Sequence, residues 1–576
     1  MAIHVVFPAE GAPLAATDSE YMIGSVGNGH AALTINGHRV AVYPNGAFLA
    51  FLPNANAANP RFELVATAGA DTARSTLTLT PPVVKTALPL EGRVEIDTSE
   101  FSPAPSVILR DSDRVTLRFR VPANAKVSLV GPNWAAAAGD TSKFPQIVLP
   151  HTGELVNRQL TAGELRRANT VLVTRGRDTT VFSFAPPATP RVPAGLNRLT
   201  GHFDEQGQYV RLGKGMLPSD SDAVIYGRTL PNENYKWFLL PGTVVELTGR
   251  LGGYTRVRVA DDLEMWVADA DVDSLVARPA RRTTSNARIR STPLSADLVI
   301  PVTSTPPFFV EEHDREIDLV LYGVVGNTDI VNYSTSDSLI KAVTWEQETA
   351  DRIRFHVQLT QRPVGYMALA ERGTFVLRVR RAPAIDAGHP LRGRVIAIDP
   401  GHPPSGATGP TSLYEGEAVL SVGFAAKAML EAKGATVVMT RTTMDTLGLP
   451  PRRTIPRRAD AEAFVSIHLN SYPDGVNPFV ASHGSGTYFF RTHSEPLARA
   501  VQQHLLEQMG LHDEGTFYRS LAVTVQTWMP AVLTEGAFVI IPEQEAALRT
   551  TGFQERYARA IVDGLEAYFR GLASSQ

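Results

Sequence analysis

Val395-Ile396-Ala397-Ile398-Asp399-Pro400-Gly401-His402 is a run of β-branched and apolar residues that stops at Asp-Pro-Gly. It predicts a buried strand with a histidine just past its carboxyl end, where open α/β sheets place their chemistry. Three later pieces point to the same rim: Glu415 opening a predicted helix, Ser466-Ile467-His468-Leu469-Asn470 ending a second apolar strand, and Val532-Leu533-Thr534-Glu535-Gly536 ending a third. Two histidines and a carboxylate on one rim, with a further glutamate beside them, are residue types that suit a catalytic zinc.

Around this stretch, from about 389 to the end, strands and helices alternate. Glu415 to Lys433 carries Val419, Val422, Ala426 and Met429 at helical spacing, with Gly434 to end the helix. Thr436–Thr440 and Ala463–Ile467 read as strands. A helix begins at Ser494-Glu495-Pro496, carries Leu497, Val501 and Leu505 on one stripe and stops at Gly510. Phe553, Tyr557, Ile561 and Leu565 mark a closing helix. The expectation is an α/β domain over 390–576 with a mixed, mainly parallel sheet.

Residues 1 to about 385 read instead as β structure throughout. Asn36-Gly37 between Ala32–Ile35 and Arg39–Tyr43 is a hairpin signal, and a first sandwich is expected over 1–83. A second, over 84–190, contains the alternating Val115–Val121 and closes at a proline-rich linker, 185–190. Short strands and glycine turns over 200–277 suggest a barrel. Its aromatics Tyr235, Trp237, Phe238 and Tyr254 either grip a ligand or fill a small core. Arg278, Arg281, Arg282, Arg288 and Arg290 lie in an aperiodic stretch read as a solvated linker, or else as an attraction for anionic polymers. A fourth β unit over 290–382 sets Ile353, Phe355, Val357 and Leu359 on one face and Arg354, His356 and Gln358 on the other. The fold class is thus multidomain: all-β modules followed by one α/β domain.

Composition narrows the rest. A chain of 576 residues is too long for one core. Lys+Arg 55 against Asp+Glu 58 gives no reason to expect a nucleic-acid partner. With zero cysteines there are no disulfides, thiolate metal sites or cysteine nucleophiles. No apolar run approaches the roughly 18 residues of a spanning helix. Met1–Pro8 lacks the cationic-then-apolar pattern of a signal peptide, although a mature sequence would read the same.

Asp399-Pro400-Gly401-His402, Leu413-Tyr414-Glu415, Met439-Thr440-Arg441, Phe464–Asn470 and Pro530–Glu535 stand in the order found in zinc-dependent N-acetylmuramoyl-L-alanine amidases of the Amidase_3 type, which about 394–571 resembles. The resemblance implies zinc ligands at His402, Glu415 and His468 and a general base at Glu535. Glu417 competes with Glu415, but residues two apart point to opposite sides of a helix, and the spacing to Gly434 favours Glu415. Asp399 either orients His402 or only forms the turn, and Arg441 and Asn470 match family positions. His389, His483, His493, His504 and His512 have no motif support. Pro403-Pro404, Arg457 and Phe538-Val539-Ile540 depart from the family pattern, and 471–486 shows no periodicity for an occluding helix.

The β modules resemble immunoglobulin-like (1–83), SH3-like (200–277) and AMIN-like (290–382) units. The implied protein is a monomeric, cell-envelope hydrolase, periplasmic or secreted, acting on peptidoglycan at the amide between N-acetylmuramic acid and L-alanine. Two alternatives stand beside it: a zinc peptidase cutting within the stem peptide, and a wall-binding protein with a disabled catalytic domain.

Overall fold

The Val395–Pro400 strand lies second in a six-stranded sheet ordered Thr436–Met439, Val395–Pro400, Ala463–Asn470, Ala531–Phe538, Ser485–Phe489, Asp513–Tyr518. The first four strands are parallel. Ser485–Phe489 runs antiparallel to Ala531–Phe538 and parallel to Asp513–Tyr518, so the sheet is mixed and mainly parallel. In this computed structural model the described residues are 1–14, 18–54, 58–81, 86–104, 107–131, 146–189, 208–217, 223–333, 337–371 and 373–575. The expected module boundaries at 83/84 and from 190 to 200, with the end of the proline-rich linker, lie outside them.

The central strands are apolar on both faces because both faces are covered. Ile396, Ile398, Val465, Ile467 and Val532 pack against the helices Glu415–Ala432, Glu495–Met509 and Thr551–Ser575. Ala397, Phe464, Ala531 and Leu533 face the other way and share a cluster with Val299, Met367, Leu369 and Val376 of the fourth β unit. A β-sheet therefore covers the side of this six-stranded sheet that helices leave open.

The helices follow their sequence signals where these are strong. Glu415–Ala432 buries Val419, Val422, Ala426 and Leu430, and Gly434 follows it at φ +83°. Gly510 closes Glu495–Met509 in the left-handed region, which glycine adopts without a Cβ clash. The helix Leu449–Arg458 was not expected from its three prolines: Pro450 and Pro451 sit in its first turn, where no intrahelical donor is needed, while Pro456 lies inside it. Pro542–Leu548 likewise starts on a proline.

The first β unit pairs a three-stranded with a four-stranded sheet. Asn36 and Gly37, both at positive φ, join Ala32–Ile35 to His38–Val40, as a two-residue hairpin turn requires. Along Ser19–Ser25 the side chains alternate between two cores. Met22 points into the unit's own core with Phe48, while Tyr21, Ile23 and Leu49 join the apolar cluster of the α/β domain's helices. The second unit also has two sheets, interrupted by a short helix, Ala162–Arg167, that the all-β reading did not foresee. Thr161 and Glu164 close a reciprocal capping box on it, and the signal was Thr-x-x-Glu. The third unit is one seven-stranded sheet, and the fourth has five- and four-stranded sheets.

Two expectations about the middle of the chain change. The arginine stretch is not a solvated linker: Arg282 is buried in a short strand paired with Val324–Val325, and Arg290, within Ala287–Ser291, pairs with buried Asp297 at 2.7 Å. The barrel aromatics divide between roles. Trp237 fills the core, Tyr254 packs against the second unit, and Phe238 meets Phe490 and Arg491 of the α/β domain.

The units are packed against one another and not strung on free linkers. Asp113 of the second unit bonds Arg256 of the third at 3.0 Å. Buried Arg380, from the fourth unit, donates to the carbonyls of Ala461 (2.6 Å), Asp460 (2.8 Å) and Trp528 (3.2 Å) and lies over the Trp528 ring. Replacing Arg380 by Met strips three carbonyls of a charged donor. The urea midpoint for unfolding of the α/β domain should fall by the equivalent of about 2–4 kcal/mol, with native circular dichroism in buffer.

Candidate active site

The buried first residue of the Glu415–Ala432 helix is where three elements meet. Glu415 is 2% exposed, and its carboxylate is fully engaged. Oε2 lies 3.2 Å from His402 Nε2 and accepts from Ala407 N at 3.0 Å. Oε1 lies 3.1 Å from His468 Nδ1 and accepts from Leu469 N at 2.9 Å. The two imidazoles stand nearly perpendicular, with centroids 4.8 Å apart. Burial pushes the Glu415 carboxyl up, but the hydrogen bonds and charges of the two histidines outweigh it and hold the group well below the ordinary range. Burial also pulls His402 down, and Glu415 more than reverses that, leaving His402 above its usual value.

The donor set fits a divalent ion. The ligand atoms of His402, Glu415 and His468 all lie within 4.8 Å of one another. Ligands about 2.0–2.2 Å from a tetrahedral zinc stand roughly 3.3 Å apart, close to both histidine–glutamate separations here. His402 Nδ1 faces the Pro404 carbonyl at 3.0 Å, which leaves Nε2 for the cluster. His402 itself sits at φ +52°, an uncommon conformation for a side-chain-bearing residue. Glu417, the competing carboxylate, is exposed and outside the cluster.

Glu535 stands directly across from His468, in register on the neighbouring parallel strand. Part of the residue reaches solvent, yet its Oε2 is buried and has no hydrogen-bond partner among the described residues. Burial, then the Glu415 charge, pushes its carboxyl well above the ordinary value. An unpartnered, raised carboxylate beside a candidate metal site is suited to accept and return a proton.

Several supporting groups were not legible in the sequence. Gly401 is required by contact: a Cβ there would stand 2.3 Å from Cε1 of His468. Asp399 does not reach His402, as one reading of the sequence had it. It accepts from Thr440 Oγ1, Ser466 Oγ (2.7 Å) and Arg452 Nη1 (2.7 Å). Arg452 in turn holds the carbonyls of Pro400, His402 and Pro403 at 2.8–3.2 Å. The aspartate thus acts on the His402 loop through an arginine, and nothing in the proline-rich Leu449–Arg458 stretch announced that arginine. Arg441 binds the carbonyls of Pro400, Gly401 and Gly416, fixing the loop and the helix start together. Tyr557 of the closing helix donates to the His468 carbonyl at 3.1 Å. Buried Glu545 accepts from the backbone of Thr411 and Leu413, in the segment that leads into Glu415.

The remaining histidines stay outside this centre. His493 is buried and bonded to Glu312 of the fourth unit at 2.7 Å, and exposed His389 pairs with Asp386. His356 bonds Asp318 at 2.9 Å within an arginine-rich charged network.

Comparison with known proteins follows this geometry. A family model described as N-acetylmuramoyl-L-alanine amidase matches residues 396–567. The N-acetylmuramoyl-L-alanine amidase LytC of Bacillus subtilis (strain 168) is 32% identical over 170 residues, 29% of this chain and 33% of LytC. The uncharacterized protein YqiI of the same organism is 31% identical over 199 residues, 34% of this chain and 93% of YqiI. The catalytic domain of the amidase CwlV from Bacillus (Paenibacillus) polymyxa var. colistinus is 35% identical, covering 30% of this chain and 95% of that domain, with a TM-score of 0.28. The chain therefore spans only a third of LytC, and the family model falls on the last third of this chain.

Two outcomes are expected. Gly401→Ala should push the His468 ring out of place and weaken zinc binding by about 10–100-fold, read by competitive metal titration, with circular dichroism unchanged. In the metal-free chain Glu535→Gln should be more stable than the parent at pH 8 by more than about 1 kcal/mol. The sign follows from the raised carboxyl, whose stabilising contribution is complete below its unfolded value and is lost as pH rises through the folded one. Denaturant curves at pH 8 and pH 5 should show the advantage shrinking at the lower pH.

Proposed function

Because the chain belongs, through residues 396–567, to the N-acetylmuramoyl-L-alanine amidase family, we propose that it is a zinc-dependent peptidoglycan hydrolase that cleaves the amide between the lactyl group of N-acetylmuramic acid and L-alanine of the stem peptide. The observation that carries the reading is one buried carboxylate, Glu415, bridging two imidazoles, with Glu535 on the adjacent strand, its Oε2 buried and without a partner among the described residues.

His402, Glu415 and His468 are the residues that would hold the metal. When bound, zinc supplies Lewis acidity to the scissile carbonyl and to water. The protein's own part is positioning and proton transfer. Glu535 takes the proton of the attacking water at its raised carboxylate and returns it to the L-alanine nitrogen as the amide breaks, so the amine departs neutral. Burial and the neighbouring Glu415 charge raise its carboxyl well above the ordinary value, which makes it the stronger base. Arg441 and Arg452 hold the backbone on which His402 is carried.

The four β units, assigned as immunoglobulin-like (1–83), a second sandwich (84–190), SH3-like (200–277) and AMIN-like (290–382), place the catalytic domain (390–576) on the wall, outside the cytoplasm. The enzyme works as a monomer and without an activator, and the second of these readings is supported by residues 471–484, which contain turns and no helix.

Purified full-length chain with zinc, given peptidoglycan alone, should release intact stem peptides and expose free lactyl carboxylates, as read by mass spectrometry. Cleavage inside the stem peptide with the muramoyl amide intact would make it a peptidase. Glu535→Gln should lower kcat by about 10²–10⁴ with zinc content unchanged, and unchanged turnover would remove Glu535 from the chemistry.

A further inference from the structure

The arginine stretch leads to a second site, remote from the histidines. Between the third and fourth β units lies a cavity of about 530 Å³, lined by Arg258, Arg278, Arg281 and Arg282 against two carboxylates, Glu246 and Asp351. Both acids are already engaged. Glu246 pairs with Arg258 at 2.8 Å, and Asp351 accepts from Asp261 N and Thr349 Oγ1. Arg282 is 5% exposed, and no carboxylate pairs with it among the described residues. Its Nε donates to Ser304 Oγ at 3.1 Å and its Nη2 to the Val244 carbonyl, while Nη1 has no acceptor among the described residues. Burial pushes this guanidinium down to about 10.

A buried cation that lacks a counter-charge is costly, and the planar guanidinium fork matches an oxyanion edge to edge. A cavity beside it with more arginines than carboxylates supplies the space for that counter-charge. We propose that the cavity binds an oxyanion, a phosphate or a carboxylate, on the Arg282 guanidinium. Arg282–Thr283 pairs with Val324–Val325 of the fourth unit while Arg282 bonds Val244 of the third. An anion there is gripped where the two units join. Phosphodiester wall polymers and the carboxylates of peptidoglycan both carry the required group.

The test uses the metal-free full chain, so that it does not depend on the zinc reading. Calorimetric titration at constant ionic strength, with chloride as the balancing anion, is run separately with inorganic phosphate and with N-acetylmuramic acid. Saturable one-to-one binding of either probe, with Kd of about 10 mM or tighter, is expected. Phosphate alone points to a phosphodiester polymer, and the carboxylate probe alone points to peptidoglycan. Arg282→Gln should abolish binding, and Arg281→Glu, at an exposed side chain, should weaken it about tenfold. If Arg282→Gln fails to fold, Arg281→Glu decides. No saturable binding of either probe, or binding that Arg281→Glu leaves unchanged, overturns the proposal.

Discussion

The bridge made by the Glu415 carboxylate between His402 and His468 is the interaction on which the rest of the catalytic domain depends. A carboxylate so deeply buried is tolerable only with strong compensation, and here four donors supply it: two imidazoles and the amides of Ala407 and Leu469. Because these donors come from the loop after the first strand, from the end of the third and from the segment before the helix, one side chain ties together parts of the chain far apart in sequence. Glu535 shows the opposite condition. Its Oε2 is buried with no hydrogen-bond partner among the described residues and Glu415 repels it, a local cost of the kind that folds carry at functional sites.

That arrangement needs an accurately placed sheet, and the sheet is placed by more than its own helices. Ala397, Phe464 and Leu533, on the strands that carry His402, His468 and Glu535, pack against the fourth β unit. Tyr21, Ile23 and Leu49 of the first unit join the apolar cluster on the helical face, and the Tyr21 hydroxyl donates to the carbonyl of Tyr472, just past the end of the His468 strand. The β units are therefore part of the framework that sets the site, in addition to any contact they make with the wall.

What the sequence disclosed was whatever rests on local pattern. The apolar strands, the Glu415 helix, the Gly510 stop and the Asn36-Gly37 hairpin follow from period and turn chemistry, and the four rim residues were found by their position at strand and helix ends. Roles that depend on long-range contact were hidden. Arg452 and Glu545 look like ordinary charged helix residues, yet one holds the His402 loop and the other the approach to Glu415. Asp399 could not be assigned from its place before Pro400, since its partners come from three other elements. Arg282 was misread because an aperiodic, arginine-rich stretch resembles a solvated linker until its neighbours in space are known.

The central claim is that Glu415 with its two histidines constitutes one metal site. Zinc measured by inductively coupled plasma mass spectrometry on the purified, zinc-reconstituted chain and on Glu415→Ala tests it most directly, with circular dichroism to establish that both are folded. The account predicts one zinc per chain in the parent and less than about a tenth of that in the variant. Full zinc retention by folded Glu415→Ala, or none in the parent, would contradict it.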